Sequence, residues 1–169
     1  MQKIIFLDID GVLNSGDWYD RYHDQHLEKD PKFDYDLDPL AIETLNKLKD
    51  LVPSVKIVIT STWRFDFKDT VERLKSQGLE IPVIDRTSVD PRFHEGSYMP
   101  RGVLVKKWLD ENAKDTCNYV IFDDDIDFLI SQKNNFIHTD FEHGIQMSDI
   151  SLATAILGRE TKLCETLQI

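Results

Sequence analysis

The chain has 169 residues, of which 41% are hydrophobic and 30% charged, a balance typical of one globular domain with a full core. Its formal net charge of −11 argues against broad, non-specific attraction to nucleic-acid phosphates, although a local basic groove is compatible with it. Cys117 and Cys164 fit no metal or disulfide spacing, so we expect a reducing, cytoplasmic location. The first apolar run stops at Asp8, too early for a signal peptide, and no run approaches transmembrane length, so we expect no membrane association.

The first predicted element is a strand that ends in two acidic residues. Residues 4–7 are apolar on both faces, which is typical of a central strand in a parallel sheet. Asp8 and Asp10 follow, and an extended backbone would place them on the same side. Such a pair needs a cation, a shared proton or hydrogen bonds to offset its repulsion. The alternative is a strand that simply ends in an Asx turn at Asp10 and Gly11.

Residues 15–36 form a polar segment that contains several aromatic side chains. They show no clear helical or strand period, although residues 18–27 are compatible with a short helix. Because long irregular segments in compact domains are often functional, we interpret this one as a flap over the end of the first strand. The alternative is a surface loop that its aromatic residues attach to the body.

The rest of the chain alternates helices with strands. Asp38 and Pro39 predict the N-cap and first position of a helix that ends before Pro53. The predicted apolar side of that helix consists of Leu40, Ala41, Ile42, Leu45, Leu48 and Leu51. Further strands are predicted at 55–59, 81–84, 119–122 and 136–138. Helices are predicted at 67–77, from 101 onward and at 149–157. In the helix that begins at 101, the residues predicted to face inward are Val103, Leu104, Trp108 and Leu109. This order predicts right-handed βαβ units in a three-layer, Rossmann-like α/β fold with a central parallel sheet.

Three of the predicted strands end in polar residues that can bind a cation or a phosphate. These residues are Asp8 and Asp10, Thr60 and Ser61, and Asp123, Asp124 and Asp127. Because parallel strands deliver their carboxyl ends to one edge of the sheet, we expect the three groups to converge. Several carboxylates in one crevice require a hard cation, and oxygen ligands favour Mg²⁺. Hydroxyl groups beside them suit phosphate oxygens.

These segments resemble the motifs of the haloacid dehalogenase-like (HAD) phosphohydrolase superfamily. Residues 8–13, Asp-Ile-Asp-Gly-Val-Leu, are similar to its first motif, and Thr60 or Ser61 after an apolar strand is similar to its second. Arg101, which opens a helix, resembles the basic third motif, and residues 120–124 resemble the fourth. The motifs occur in the family's order.

A narrower resemblance comes from two further segments. Thr-Trp-Arg at 62–64 and the later residues 139–144 are similar to the HAD domains of bacterial and phage RNA-repair (Swiss Army Knife) proteins. The resemblance implies a single HAD-like domain over residues 1–169, with a minimal cap or flap at about 15–37.

The resemblance also implies catalytic roles. Asp8 would be the nucleophile that forms an aspartyl-phosphate, and Asp10 would be the general acid and then the general base. Thr60 or Ser61, between which the strand register does not decide, would bind a phosphoryl oxygen. Arg101 would stabilise the negative charge on Asp8 and the phosphoryl group.

The same resemblance implies Mg²⁺ as cofactor. The Asp8 carboxylate, the Asp10 backbone carbonyl and the Asp123 carboxylate would hold the ion. The outer residue of the metal site would be Asp124 or, as an alternative, Asp127.

Several alternatives remain open at the third and fourth motifs. The third motif is more often Lys, so Lys106 and Lys107 are alternatives to Arg101. Asp125 is interpreted as a candidate helix N-cap.

Gly11, Trp63 and Arg64 are predicted to contact the substrate. Arg64 could bind a second phosphate or the leaving group, and Trp63 could stack on a base. Alternatively, Trp63 belongs to the core and Arg64 pairs with aspartates of the flap.

We therefore expect a Mg²⁺-dependent phosphomonoester hydrolase that acts on a nucleotide or on the phosphate of a polynucleotide end. The sequence leaves too little room for a folded cap, and an open crevice suits a phosphate at the end of a large substrate. The alternatives are a small-metabolite phosphatase, a phosphomutase and a catalytically silent binding protein that uses its acidic surface. A monomer is favoured.

Overall fold

The structure is a computed structural model, and it describes residues 1–25, 37–89, 99–113 and 117–159. This part of the chain contains five strands and five α-helices. In chain order they are β1 (Gln2–Leu7), α1 (Gly16–Gln25), α2 (Pro39–Leu51), β2 (Val55–Ile59), α3 (Phe67–Ser76), β3 (Val83–Arg86), α4 (Arg101–Asn112), β4 (Cys117–Asp123), β5 (Phe136–His138) and α5 (Met147–Leu157). Two 3₁₀ helices, Thr62–Asp66 and Ile130–Gln132, precede α3 and β5.

The five strands form one parallel sheet in the order β3-β2-β1-β4-β5. β1 is central, and its Leu7 pairs with Ile59 of β2 on one side and with Phe122 of β4 on the other. The carboxyl ends of these three strands therefore lie side by side. This is the α/β Rossmann-like architecture that the sequence predicts.

Alternate residues of β1 belong to two cores on opposite faces of the sheet. Ile5 and Leu7 join a large apolar cluster with residues of α2, α3 and α5. Ile4 and Phe6 join a smaller cluster to which α4 contributes Val105 and Trp108. Because β1 is buried on both faces, its residues are apolar without alternation, as expected for a central strand.

Helix α2 begins as predicted, but its buried side is narrower. The Asp38 carboxylate accepts a hydrogen bond from the amide of Leu40, and Pro39 occupies the first turn. Ala41, Ile42, Leu45 and Leu48 are buried. The prediction was wrong for Leu40 and Leu51, whose exposed fractions are 61% and 54%, because they lie outside the stripe that faces the sheet.

Other bounds also differ from the sequence prediction. The edge strand β3 lies two residues later than predicted, because Ile81 is buried without pairing in the sheet and the backbone of Asp85 and Arg86 pairs with β2. In α4, Val103 and Leu109 are only half-buried, and Gly102 and Val105 are buried instead.

Part of the predicted flap is regular. Residues 16–25 form α1, whereas residues 26–36 lie outside the described part of the chain. Among the described helices, none is both long and apolar enough to cross a bilayer.

Candidate active site

Three carboxylates meet where β1 and β4 end. The amide of Asp8 donates a hydrogen bond to the carbonyl oxygen of Phe122 (3.0 Å), which extends the strand pairing by one residue. Asp123 is the last residue of β4, and Asp124 follows it. Each of Asp8, Asp123 and Asp124 offers a carboxylate oxygen within 4.8 Å of the others. We call these three residues the acidic cluster.

Arg101, the first residue of α4, is the cation that binds this cluster. Its Nη1 lies 3.1 Å from Asp8 Oδ2 and 2.5 Å from Asp123 Oδ1, and its Nη2 lies 3.2 Å from Asp125 Oδ2. The forked guanidinium can contact three carboxylates at once, which a lysine ammonium on the same backbone could not do in the same geometry. The Arg101 guanidinium thus contacts three acidic side chains.

The pKa values of the cluster show how strongly burial disfavours its negative charge. Burial, followed by repulsion from Asp123, raises the pKa of Asp8 to about 8, although Arg101 and a hydrogen bond from Ser61 act in the opposite direction. Burial also raises the pKa of Asp123 to about 6 against the effect of Arg101, and it raises the pKa of Asp124. The same carboxylates raise the pKa of the Arg101 guanidinium, although its burial acts against them. The cluster therefore favours an additional positive charge.

The donor set fits a divalent cation. Asp8 Oδ1, Asp123 Oδ2 and Thr60 Oγ1 are buried atoms that have no hydrogen-bond partner within the described residues. Buried polar atoms without partners are uncommon in folded proteins and often mark an ion or water site. Oxygen-only donors suit a hard ion such as Mg²⁺, and Asp8, Asp123 and Asp124 are the residues that could hold it.

Asp10 lies beside the cluster and is exposed, unlike Asp8. Both of its carboxylate oxygens accept hydrogen bonds, Oδ1 from Asn14 Nδ2 (2.8 Å) and Oδ2 from the indole Nε1 of Trp63 (3.0 Å). The predicted role of its backbone carbonyl as a metal ligand stays a prediction. Sequence reasoning missed Asn14, although its position four residues after Asp10 in a Gly-containing turn was a usable signal.

Gly11 brings the turn after β1 close to the acidic cluster. Its φ is +72°, and a Cβ atom built on it would lie 2.5 Å from the carboxylate of Asp124. Only glycine combines this backbone conformation with so close an approach. Gly11 was predicted to contact the substrate; the structure shows it against Asp124.

Thr60 and Ser61 are both buried at the end of β2 but differ in their surroundings. The Ser61 side chain accepts a hydrogen bond from the amide of Trp63 (3.3 Å) and caps the 3₁₀ helix Thr62–Asp66. The Thr60 hydroxyl has no partner among the described residues. Of the two predicted phosphate-binding hydroxyls, Thr60 is therefore the one with its hydrogen-bonding capacity unused.

Arg64 is 6% exposed and braces the loop after β2 from inside. Its Nη1 donates to the carbonyl oxygens of Thr60 (3.1 Å) and Ser61 (3.0 Å), and its Nε lies 3.4 Å from the carbonyl oxygen of Ser88. Burial, with the nearby charge of Arg101, lowers the pKa of this guanidinium. These contacts hold the backbone of the loop after β2. The predicted contact of Arg64 with the substrate stays a prediction.

The alternatives for the third and fourth motifs lie in different surroundings. The Lys106 and Lys107 side chains are exposed and pair with Asp110 and Glu111 one turn along α4. Asp127 Oδ2 accepts a hydrogen bond from the amide of Arg101 (2.9 Å), which makes it a cap of α4.

Gly102 and Gln132 fix the start of α4, and sequence reasoning missed this role of both. A Cβ atom on Gly102 would lie 2.6 Å from the amide nitrogen of Leu129 and 2.8 Å from the Cα atom of Phe128. The buried Gln132 donates to the carbonyl oxygen of Gly102 (2.9 Å) and accepts from the amide of Leu129 (2.9 Å). Helix α4 can therefore begin directly against the loop after β4, with Arg101 at the cluster.

The turn after β5 packs against the turn after β1. The amide of Thr139 donates to the carbonyl oxygen of Asp123 (3.0 Å), and the amide of Ile145 donates to that of Val12 (3.0 Å). Gly144, at φ +63°, permits the contact. Residues 139–144, which carried part of the narrower resemblance, thus support the backbone of the first and fourth motifs.

In this parallel sheet, a buried Asp follows the central strand and an exposed Asp lies two residues later. An Arg contacts both the buried Asp and the Asp that ends the neighbouring strand β4. This arrangement is that of a HAD-like domain. A family model for the HAD domain in Swiss Army Knife RNA repair proteins matches residues 4–150. The chain belongs to this family. Membership indicates a phosphatase-type hydrolase, and the acidic cluster fits metal binding.

A solved structure confirms the fold. The HAD domain of the effector protein Lem4 from Legionella pneumophila superimposes with a TM-score of 0.51 at 17% sequence identity, over 94% of this chain and 98% of that domain. At this identity the likeness concerns the fold alone. No curated protein sequence matches the chain.

Proposed function

We propose that the protein is a Mg²⁺-dependent phosphomonoester hydrolase that works through an aspartyl-phosphate. The observation that carries the proposal is the acidic cluster with its single guanidinium. Asp8, the residue proposed as nucleophile, is 2% exposed, and its carboxylate has Arg101 against Oδ2 and the Ser61 hydroxyl as a further hydrogen-bond donor. Buried charge held by so few partners is typical of functional sites rather than of stable cores.

In the first step, a carboxylate oxygen of Asp8 forms a bond to phosphorus while the ester P–O bond breaks. Asp10 donates a proton to the leaving oxygen, so that the product is a neutral alcohol. Arg101 stabilises the negative charge on Asp8 and on the phosphoryl group, and Thr60 offers its hydroxyl to a phosphoryl oxygen. Bound Mg²⁺ would supply the remaining positive charge that the cluster and the phosphate require.

In the second step, Asp10 accepts a proton from water, whose oxygen forms a bond to phosphorus. The bond between phosphorus and Asp8 breaks, inorganic phosphate leaves, and Asp8 is again a carboxylate. Because the Asp10 carboxylate lies outside the buried cluster, it is accessible both to a leaving group and to the water.

We further propose that the substrate is a nucleotide or the phosphate at a nucleic-acid end. Membership of the family found in RNA repair proteins supports this, as does the shortness of the segments between the motifs, which leaves no room for a large cap. The net charge of −11 is best reconciled with recognition of a terminal phosphate, which needs few backbone contacts. A single domain over residues 1–169 and a cytoplasmic monomer complete the proposal.

The test is a screen of purified protein with Mg²⁺ against nucleotides, phosphorylated metabolites and oligonucleotides with a phosphate at either end. An aryl phosphate serves as the generic substrate, Asp8→Asn as the inactive variant and Glu80→Gln as an exposed acidic control. We expect Mg²⁺-dependent release of phosphate that Asp8→Asn abolishes and Glu80→Gln retains. Equal rates for wild type and Asp8→Asn would refute the enzyme and favour the silent binding protein.

A further inference from the structure

Trp63 is held rigidly by groups that do not belong to the acidic cluster. Its amide donates to the Ser61 hydroxyl (3.3 Å), and its carbonyl oxygen accepts from the hydroxyl of Thr70 (2.8 Å). The guanidinium of Arg73 lies over its ring, 5.6 Å from the centroid, and the half-buried ring packs on the larger apolar cluster. The direction of the indole N–H is therefore set by the 3₁₀ helix and α3.

The indole N–H is directed at Asp10, the exposed carboxylate of the site. Trp63 Nε1 donates to Oδ2 (3.0 Å) while Asn14 Nδ2 donates to Oδ1 (2.8 Å). An exposed Asp side chain without such contacts samples several rotamers, and each misplaced rotamer removes it from the leaving oxygen. Two neutral donors on different segments define one orientation without adding charge beside the acidic cluster.

We infer that Trp63, together with Asn14, is a positioning residue that orients the Asp10 carboxylate for proton transfer to the leaving group. The inference deepens the proposed function and rests on it for its kinetic part. It assigns Trp63 a role that does not require stacking on a base, because the indole N–H donates to Asp10 and the Arg73 guanidinium lies over the ring.

A matched control exists in the same chain. Trp108 Nε1 also donates to a carboxylate oxygen, that of Asp85 (2.6 Å), and its ring belongs to the smaller core on the other face of the sheet. Trp63→Phe and Trp108→Phe thus delete the same kind of bond and keep an aromatic ring. Only the first touches a residue of the proposed mechanism.

The kinetic test compares two substrates that differ in their need for an acid. The leaving group of para-nitrophenyl phosphate departs as a stable nitrophenolate anion and needs no proton. The leaving group of an alkyl phosphate such as glycerol phosphate would be a strongly basic alkoxide, so it needs a proton from a general acid. We expect Trp63→Phe to lower kcat on the alkyl phosphate about tenfold to hundredfold and to leave KM unchanged. This loss is a part of the rate enhancement that general acid catalysis usually provides. On the nitrophenyl ester the loss should be about twofold to threefold, and on an Asp10→Asn background the substitution should have no further effect.

Trp108→Phe should leave the ratio of the two rates unchanged. Equal losses on both substrates for Trp63→Phe, or a loss that persists on the Asp10→Asn background, would overturn the positioning role.

A second readout is independent of catalysis. The chain has three tryptophans, so an ¹⁵N-edited NMR spectrum shows three indole N–H signals, and Trp63→Phe identifies the one that belongs to Trp63. We expect Asp10→Ala to move that signal and to speed its hydrogen exchange, with the Trp108 signal unchanged. If no indole signal responds, the contact does not exist in solution and the inference fails. If wild type hydrolyses no phosphate ester but the signal responds, the proposed function fails and the orienting contact stands.

Discussion

The carboxylates of this protein occupy two contrasting environments. On the outer face of α4, Asp110 pairs with Lys106 one turn away, and both side chains are about 60% exposed, at 62% and 59%. At the end of β1 and β4, Asp8 and Asp123 are almost completely buried and share the single guanidinium of Arg101. Water screens the first pair, so it contributes little to stability, whereas nothing screens the second. The surface pair is solvated, whereas burial disfavours the negative charge of the cluster and a bound cation would stabilise it.

The largest effect should come from removing the only cation that contacts the cluster among the described residues. Arg101→Ala leaves buried carboxylates without a partner, and we expect a loss of about 3 kcal/mol in the free energy of unfolding of the metal-free protein. Urea denaturation in EDTA at neutral pH measures it, with Lys106→Ala as the control. A loss no larger than that of the control would show that the cluster is not buried in solution.

The next effect concerns pH. The pKa values of Asp8 and Asp123 are raised to about 8 and about 6, so the folded protein binds protons that the unfolded chain has released. Without divalent ions, the free energy of unfolding should therefore fall as pH rises from about 4 to about 8. Asp8→Asn should flatten this dependence and stabilise the protein at the alkaline end of the range. Thermal denaturation across this pH range measures the dependence. If the stability of Asp8→Asn changed with pH as steeply as that of the wild type, Asp8 would not be the group responsible.

Adding Mg²⁺ should oppose the same repulsion. At ten times its dissociation constant, the ion should add about 1.4 kcal/mol to the free energy of unfolding. Asp124 belongs to the acidic cluster, and Asp127 caps α4. Asp124→Asn should therefore reduce the shift in Tm that Mg²⁺ causes, and Asp127→Asn should keep it while lowering the Tm itself. The opposite pattern would make Asp127 the outer metal residue.

The smallest effect should come from the surface pairs. Lys106→Gln should change the free energy of unfolding by less than about 0.5 kcal/mol, and sodium chloride should reduce even that. Denaturation at low and high salt tests this. A larger change would mean that the exposed pair of Lys106 and Asp110 contributes more to stability than its exposure to water indicates.

The sequence predicted the sheet well because a central parallel strand needs apolar residues on both faces. β2 and β5 have the predicted bounds, and the residues after β1 and β4 converge as expected. The edge strand β3 lies two residues later than predicted. Its pairing with β2 uses the backbone of Asp85 and Arg86, which a hydrophobic pattern does not reveal. Local patterns therefore locate the core strands better than the edge.

Two contacts of the site that the sequence did not predict span long separations along the chain. Trp63 and Asp10 are 53 positions apart, and Gln132 reaches Gly102 across 30. No local spacing signals such contacts, since they depend on how loops pack once the sheet has formed. The motifs name candidate site residues, but they do not show which side chains contact one another in the folded protein.

Gly102 has a consequence for engineering this family of domains. The backbone at Leu129 and Phe128 leaves no space for even a methyl group at position 102. The position of the Arg101 guanidinium at the cluster therefore depends on Gly102, a neighbour that has no side chain. Gly102→Ala would force the amino end of α4 outward and retract the Arg101 guanidinium without altering any ionisable group. Redesign of the acidic cluster and its surroundings should therefore keep Gly102 and vary Arg101 only afterwards.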